Sequence, residues 1–304
     1  MTRLSSPLPA QVSVAAFDAI HDDVESWRGL VSSIAASYSS APVTPVAQGT
    51  VLVGLVGDES VVKLYPPFLS DHFEFEAAAL EMLHGRLSIA TPKLVARGER
   101  DGWPYLLMTQ LAGEPMTWHW PALSEQAKCD VLQAIGRVAA EVHALPAAGL
   151  VGRAPEWEAF LQRQRAACRR RQESTGLPSH LVKRLEAFLS GDLPQGRAAI
   201  LTGEYTPMNL MYDGGLAGMF DFGDGLIGPA EYDWLGPLCF LAAGHRVRRE
   251  AFFAGYGVQP AGAWRERLLR MLLLHRYSNL KAQVALTGWE SAEDFEQLAE
   301  FIWP

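Results

Sequence analysis

Glu204, Asn209 and Asp221 are the residues of this chain whose types and spacing could do chemistry together. They lie in Thr202-Gly203-Glu204-Tyr205-Thr206-Pro207-Met208-Asn209 and, a little further on, Asp221-Phe222-Gly223-Asp224. A carboxylate and an amide on one loop, followed by a second carboxylate on the far strand of a tight hairpin, can converge on one point. That convergence suits phosphoryl transfer. Glu204 would orient an attacking hydroxyl and accept its proton, while Asn209 and Asp221 would hold Mg²⁺ against nucleotide phosphates. Each piece is weak alone, since Asp beside Gly is most often a turn former; the order and spacing carry the signal.

Such chemistry makes a demand elsewhere in the chain. A lysine on a strand should contact the phosphates, and a glutamate on the next helix should hold that lysine. Val61-Val62-Lys63-Leu64-Tyr65 supplies a lysine inside an apolar strand, and Phe73-Glu74-Phe75-Glu76 opens the helix that follows. Glu76 is the candidate partner of Lys63.

The elements that must position these residues can be read from periodicity. Phe17, Ile20, Val24, Trp27, Val31 and Ile34 recur at helical steps, predicting a helix within Phe17–Tyr38. Val51–Val56 and Val61–Tyr65 read as two strands joined at Gly57-Asp58, Phe73–Leu87 as a helix, and Pro104–Gln110 as a buried strand. From Ser124 onward helices dominate: Ser124–Leu145, with Ser124 as N-cap and Pro146 as stop, then Glu156–Thr175, Pro178–Ser190, and several between Arg246 and Ile302. The segment Ile200–Pro229 stands apart. Its runs Asn209–Tyr212 and Leu216–Phe222, joined by Asp213-Gly214-Gly215, predict a hairpin embedded among the helices.

The expected architecture is α+β: a β-rich N-terminal lobe (1–112, with a helix within 10–40) and a mainly helical C-terminal lobe (113–304) carrying the catalytic hairpin. A length of 304 residues alone suggests about two domains. With 49% hydrophobic and 20% charged residues, disordered and fibrous classes are excluded. The formal net charge of −8 argues against nucleic acid or an anionic membrane as partner and permits a cationic ligand. Cys129, Cys168 and Cys239 lack the paired spacing of a disulfide or metal framework. Met1–Gln11 shows no basic segment followed by an apolar run, and the longest apolar stretch, Trp234–Ala243, is far short of a membrane span. A cytoplasmic protein is expected.

The chain resembles the aminoglycoside phosphotransferase and choline kinase-like family of small-molecule kinases. The resemblance rests on Val61–Tyr65, Glu76–Leu80, Pro104–Gly113, Glu141-Val142-His143-Ala144-Leu145-Pro146, Thr202–Leu210, Asp221–Asp224 and Gly228–Asp233, which run in family order over most of the chain. It implies a bilobal protein-kinase-like fold with the nucleotide in a cleft shared by the lobes. It also implies that Lys63 contacts the phosphates, that Glu76 pairs with Lys63, and that Met108, Gln110 and Leu111 belong to the linker against which adenine or guanine stacks. Glu204 stands where the family has its catalytic aspartate, Asn209 and Asp221 where it has metal ligands, and Asp233 where it has a structural aspartate. His143, which matches a family motif, reads as a buried hydrogen-bonding histidine.

Two departures matter. Where the family reads His-Gly-Asp, this chain has Thr202-Gly203-Glu204. The extra methylene can displace the carboxylate by roughly 1.5 Å, and a misplacement of about 1 Å can cost on the order of 100-fold in rate. Thr202 replaces a histidine that braces the loop, a task its hydroxyl can share.

The leading expectation is a Mg²⁺-dependent kinase using ATP or GTP to phosphorylate a hydroxyl of a small molecule, an aminoglycoside or related aminocyclitol first. The alternatives are a catalytically silent nucleotide-binding sensor, motivated by the two departures, and a kinase of an endogenous metabolite such as choline, homoserine or a sugar. Asp224, Glu231, Asp233, Glu290, Glu293, Asp294 and Glu296 supply carboxylates for a cationic acceptor, although Glu290–Glu296 also fits a solvated helix face.

Overall fold

The computed structural model describes residues 8–9, 11–47, 49–203, 205–284 and 286–304. The sequence expectations that fall on Met1–Pro7, on Ala10 and on Glu204 lie outside the described residues. The chain divides into two compact units, one formed by 1–86 and 90–112, the other by 87–89 and 113–304.

The first unit opens with α1 (Val14–Asp22) and α2 (Val24–Ala35), two helices where periodicity predicts one. The chain breaks at Asp23, whose ψ of 77° leaves the helical region. Side chains recover the carbonyls freed by the break: Trp27 donates its indole N–H to His21 O at 3.3 Å, and Ser26 its hydroxyl to Ile20 O at 3.5 Å. The apolar stripe survives the break because Phe17, Trp27, Val31 and Ile34 are all buried in one cluster with Leu52, Val56, Val62, Leu64, Trp103 and Leu107. These residues come from a five-stranded antiparallel sheet of β1 (Val43–Val46), β2 (Leu52–Val56), β3 (Ser60–Leu64), β4 (Leu94–Arg100) and β5 (Trp103–Thr109). Its order is β1-β2-β3-β5-β4. Gly57, at φ +56°, makes the β2–β3 turn. α3 (Ser70–Leu83) connects β3 to β4 and buries Phe73, Phe75, Ala77, Leu80 and Leu83.

In the second unit, β6 (Glu114–Pro115), β8 (Leu210–Tyr212) and β9 (Leu216–Met219) form a small sheet in the order β6-β8-β9, which contains the expected hairpin. β7 (Ala198–Leu201) pairs with β10 (Leu226–Pro229), a ladder that the sequence did not announce. The helices are α4 (Met116–His119), α5 (Glu125–Ala144), α6 (Trp157–Thr175), α7 (Ser179–Leu189), α8 (Leu235–Phe240), α9 (Arg246–Tyr256), α10 (Trp264–Leu273), α11 (Leu280–Gln283) and α12 (Phe295–Ile302). Ser124 caps α5 by accepting from Ala127 N at 3.2 Å, as expected.

One crossing in this unit matters for the site. A Cβ on Gly136 of α5 would stand 2.1 Å from Phe252 O, and one on Gly255 of α9 would stand 1.9 Å from Gln133 O. The absence of both side chains lets the two helix backbones touch. His143 and Tyr256, near the C-terminal ends of these helices, meet as a result. No helix among the described residues is long and apolar enough to cross a membrane.

Candidate active site

In the first unit, Lys63 is on β3 and Glu76 on α3. Lys63 Nζ lies 2.7 Å from Glu76 Oε1, with the two side chains 8% and 1% exposed. Tyr65 lies two residues beyond Lys63 and therefore on the same face of the strand; its hydroxyl donates to Glu76 Oε2. The carboxylate is thus held from both oxygens, which fixes the ammonium with it and offsets part of the cost of burying two charges. The pairing expected of Lys63 and Glu76 is present. The role of Tyr65 was missed, although the alternation of the strand could have revealed it. Met108 is buried at the end of β5, and the segment after it leaves the sheet with Gln110 N donating to Glu59 O at 2.8 Å. Gln110 is exposed and Leu111 half-buried.

In the second unit, β7 runs directly into Thr202-Gly203. Beyond its partner β10, a short 3₁₀ turn, Ala230–Tyr232, leads to Asp233. Asp233 is 2% exposed. Its Oδ2 accepts from Thr202 N at 2.9 Å and from the Thr202 hydroxyl at 3.3 Å, and its Oδ1 accepts from Gly203 N at 2.8 Å. A carboxylate that takes two successive backbone N–H groups fixes the course of the chain at the position leading into Glu204. Gly203 has φ +78°, which a side chain would resist. Thr202 does share the bracing, as its type allows.

His143 completes the brace. Its Nε2 is 3.1 Å from Asp233 Oδ2, and its Nδ1 is 2.9 Å from the Tyr256 hydroxyl. A carboxylate only accepts, so the proton sits on Nε2 and Nδ1 accepts from the phenol. Burial pushes the Tyr256 hydroxyl up to about 12, which keeps it protonated and donating. Nothing local marks Tyr256, which stands 113 residues from His143.

Asn209 and Asp221 are brought together by the hairpin. Leu210 pairs with Met219, and one step outward Phe220 N donates to Asn209 O at 3.1 Å, so Asp221 immediately follows a residue bonded to Asn209. Asp221 has φ +69°, a left-handed backbone that costs a non-glycine residue about 1 kcal/mol or more. Phe222 is buried directly beside it, and Gly225 N closes a turn onto Phe222 O at 3.0 Å. This anchoring over-determines the conformation, as strained residues at functional sites require. An amide oxygen and a carboxylate are hard donors of the kind Mg²⁺ takes, with phosphate oxygens and water completing its shell, so these residues fit the ion. Among the described residues no group of three or more His, Cys, Asp or Glu side chains is placed to hold a metal ion.

The other acids behave differently. Asp224 is bound to Arg276 and Tyr277. Asp294 caps α12, while Glu290, Glu293 and Glu296 are exposed, the solvated-face reading of that segment. Trp289 and Trp303 are core, Trp157 stacks on Phe160 of its own helix α6 and meets the Tyr232 ring edge-on, and His275 is buried against the Tyr232 ring at 4.9 Å.

A β-sheet unit presenting a buried Lys–Glu pair and a helical unit with a braced loop and an Asn–Asp hairpin define a kinase-like phosphotransferase. The sequence profile of the phosphotransferase enzyme family matches residues 46–270, and the chain belongs to that family. No curated protein matches the sequence. Among solved structures, the GDP complex of aminoglycoside 2'-phosphotransferase-IIIa is similar with a TM-score of 0.68 at 17% identity, over 90% of this chain and 97% of that one. The GDP and kanamycin complex of APH(2")-IIIa gives 0.67 at 18%, over 90% and 95%. Macrolide 2'-phosphotransferase MphH from Brachybacterium faecium gives 0.59 at 18%, over 81% and 88%. These likenesses bear out the α+β kinase-like fold and the resemblance read from the motifs.

Proposed function

We propose that the protein transfers the γ-phosphoryl group of ATP or GTP to a hydroxyl of a small glycoside-like molecule, within the range spanned by aminoglycosides and macrolides. The observation that carries this reading is the pair formed by Asn209 and Asp221, set by hairpin register directly after the loop that Asp233 braces. Nucleotide-bound and antibiotic-bound structural neighbours support it: complexes with GDP, with GDP and kanamycin, and with streptomycin and ATP.

Lys63, pinned by Glu76, steadies the phosphates, and Met108, Gln110 and Leu111 form the linker facing the base. Asn209 and Asp221 hold Mg²⁺, which when bound neutralises phosphate charge. Glu204 orients the acceptor hydroxyl and takes its proton. Asp and Glu have similar ordinary pKa values, so the proton chemistry survives the departure from aspartate. The brace is what makes a longer carboxylate usable, because the backbone leading into it is held from two N–H groups. In-line transfer then depends on positioning and charge neutralisation. Three unpaired cysteines, two of them buried, support a reducing cytoplasmic setting.

Changing Asp221 to Asn should lower kcat/KM with Mg-nucleotide by on the order of 1,000-fold while leaving the melting temperature nearly unchanged. Mass spectrometry for a gain of one phosphate, run across hydroxylated acceptors with both nucleotides, is the measurement. Full activity of the variant, or nucleotide binding with no product from any acceptor, would sink the reading.

A further inference from the structure

Two carboxylates beside the braced loop, Asp233 and Asp224, are already engaged by the protein itself. Asp233 is spent on Thr202, Gly203 and His143. Asp224 lies beside the same loop, since its carbonyl oxygen would be 3.3 Å from a Cβ on Gly203, the residue before Glu204. Its side chain is among the acids that the sequence offered as a grip for a cationic acceptor. In the structure Arg276 Nη1 lies 2.6 Å from Asp224 Oδ1, and the Tyr277 hydroxyl is 3.0 Å from both carboxylate oxygens.

The guanidinium is not a loose counter-ion. It lies 5.5 Å over the Phe160 ring, and both side chains of the ion pair are only 16% exposed. Arg171 bonds the Arg276 carbonyl at 3.3 Å, fixing the backbone behind it. Burial is the largest single influence on Arg276 and lowers its pKa, but Asp224, Tyr232 and Tyr277 together more than offset it and raise the value, so the arginine stays charged. An ammonium group of an acceptor would have to displace this guanidinium to reach Asp224, and meets its repulsion on approach. Two large apolar or aromatic side chains stand exposed here: Met208, four residues beyond Glu204 in the sequence, is 54% exposed, and Tyr277 is 47% exposed.

We infer that the Asp224–Arg276–Tyr277 cluster makes the acceptor side of this loop select a hydroxylated compound with at most one positive charge and an apolar face, and discriminate against polycations. The inference rests on the proposed phosphotransfer at this loop. The net charge of −8 does not contradict it. Diffuse surface charge speeds encounter and is screened by salt within about 10 Å, whereas discrimination is set by the groups that touch the acceptor. A fixed guanidinium supplies the repulsive element that specificity needs.

The test compares erythromycin, with a single amine, and kanamycin, with several, on the full-length protein. Binding is read by calorimetry, which needs no turnover, and kcat/KM by phosphate gain with Mg-ATP and Mg-GTP. The parent protein should favour erythromycin by about tenfold or more. R276Q should shift the ratio toward kanamycin by about tenfold, and the D224N/R276Q pair should cancel that shift. If R276Q does not fold, Y277F, which removes one donor to Asp224, should move the ratio the same way by about threefold. Kanamycin preferred by the parent protein, a ratio unmoved by both single substitutions, or no binding of either compound would overturn the inference. Erythromycin-selective binding without phosphate transfer would sink the proposed function and uphold the selectivity. Transfer preferring kanamycin would do the reverse.

Discussion

Glu76 and Asp233 are both buried carboxylates, 1% and 2% exposed, yet they are used in opposite ways. Glu76 is held by side chains, Lys63 and Tyr65, and what it fixes is the end of a flexible side chain. Asp233 is held chiefly by backbone, the N–H groups of Thr202 and Gly203, and what it fixes is the path of a loop. The first arrangement pins a cationic side chain, the group proposed above to steady the phosphates. The second leaves nothing to share, because its charge is consumed in shaping the chain that delivers Glu204. A buried charge therefore does not by itself mark a ligand contact; the partner that answers it decides.

That contrast can be attacked at several points. The largest effect should come from a residue that touches neither carboxylate. Gly136→Ala would drive a methyl group into the Phe252 carbonyl, separate α5 from α9, and cost about 3 kcal/mol or more. Thermal unfolding should show the loss, and activity should fall with it because His143 and Tyr256 part. An unchanged melting temperature would mean the helix contact does not support the brace.

Asp233→Asn comes next. It places an amide where two backbone donors and a histidine N–H need acceptors, so stability should drop by about 3 kcal/mol and kcat should fall with nucleotide KM little affected. Glu76→Gln should cost less, about 2 kcal/mol, and should raise nucleotide KM as Lys63 loses its anchor. If the two variants gave the same pattern of KM and kcat, the proposed division of labour would be wrong.

The smallest effect concerns acid. His275 is packed on Tyr232, next to Asp233, and burial, with Arg276 and Arg171 adding to it, lowers its pKa from 6.5 to about 3. The unfolded chain takes up this proton at higher pH than the folded one. The histidine's contribution is therefore fully present above about pH 6.5 and lost progressively as pH falls toward 3, by about 1.4 kcal/mol at pH 5.5. His275→Gln cannot be protonated and can still accept from Tyr277 N. It should flatten the fall of melting temperature between pH 6.5 and 4.5; an equally steep curve would assign the acid sensitivity to other groups.

Much of this was legible from the chain because it is local. Gly57-Asp58 between two β-branched runs fixes the β2–β3 hairpin, and Asp213-Gly214-Gly215 fixes β8–β9, from which the adjacency of Asn209 and Asp221 follows by register. Lys63 and Glu76 were legible because strand and helix are consecutive. The break at Asp23 was not, since the apolar stripe continues through it and only the recovered carbonyls reveal the change of direction. The β7–β10 pairing was hidden because its strands are four residues each and lie 24 residues apart, with the hairpin between them.

The sequence by itself determined the family and the two kinds of unit and carried the motif from which the catalytic roles are proposed, because residue type, order and turn spacing are properties of the chain. Tertiary structure alone decided which carboxylates are already answered. Tyr256 reaches His143 only because two glycines let helices touch, and Arg276 reaches Asp224 across 52 residues. Charge is written in the sequence, but neutralisation depends on distances of a few ångströms that only the folded chain sets.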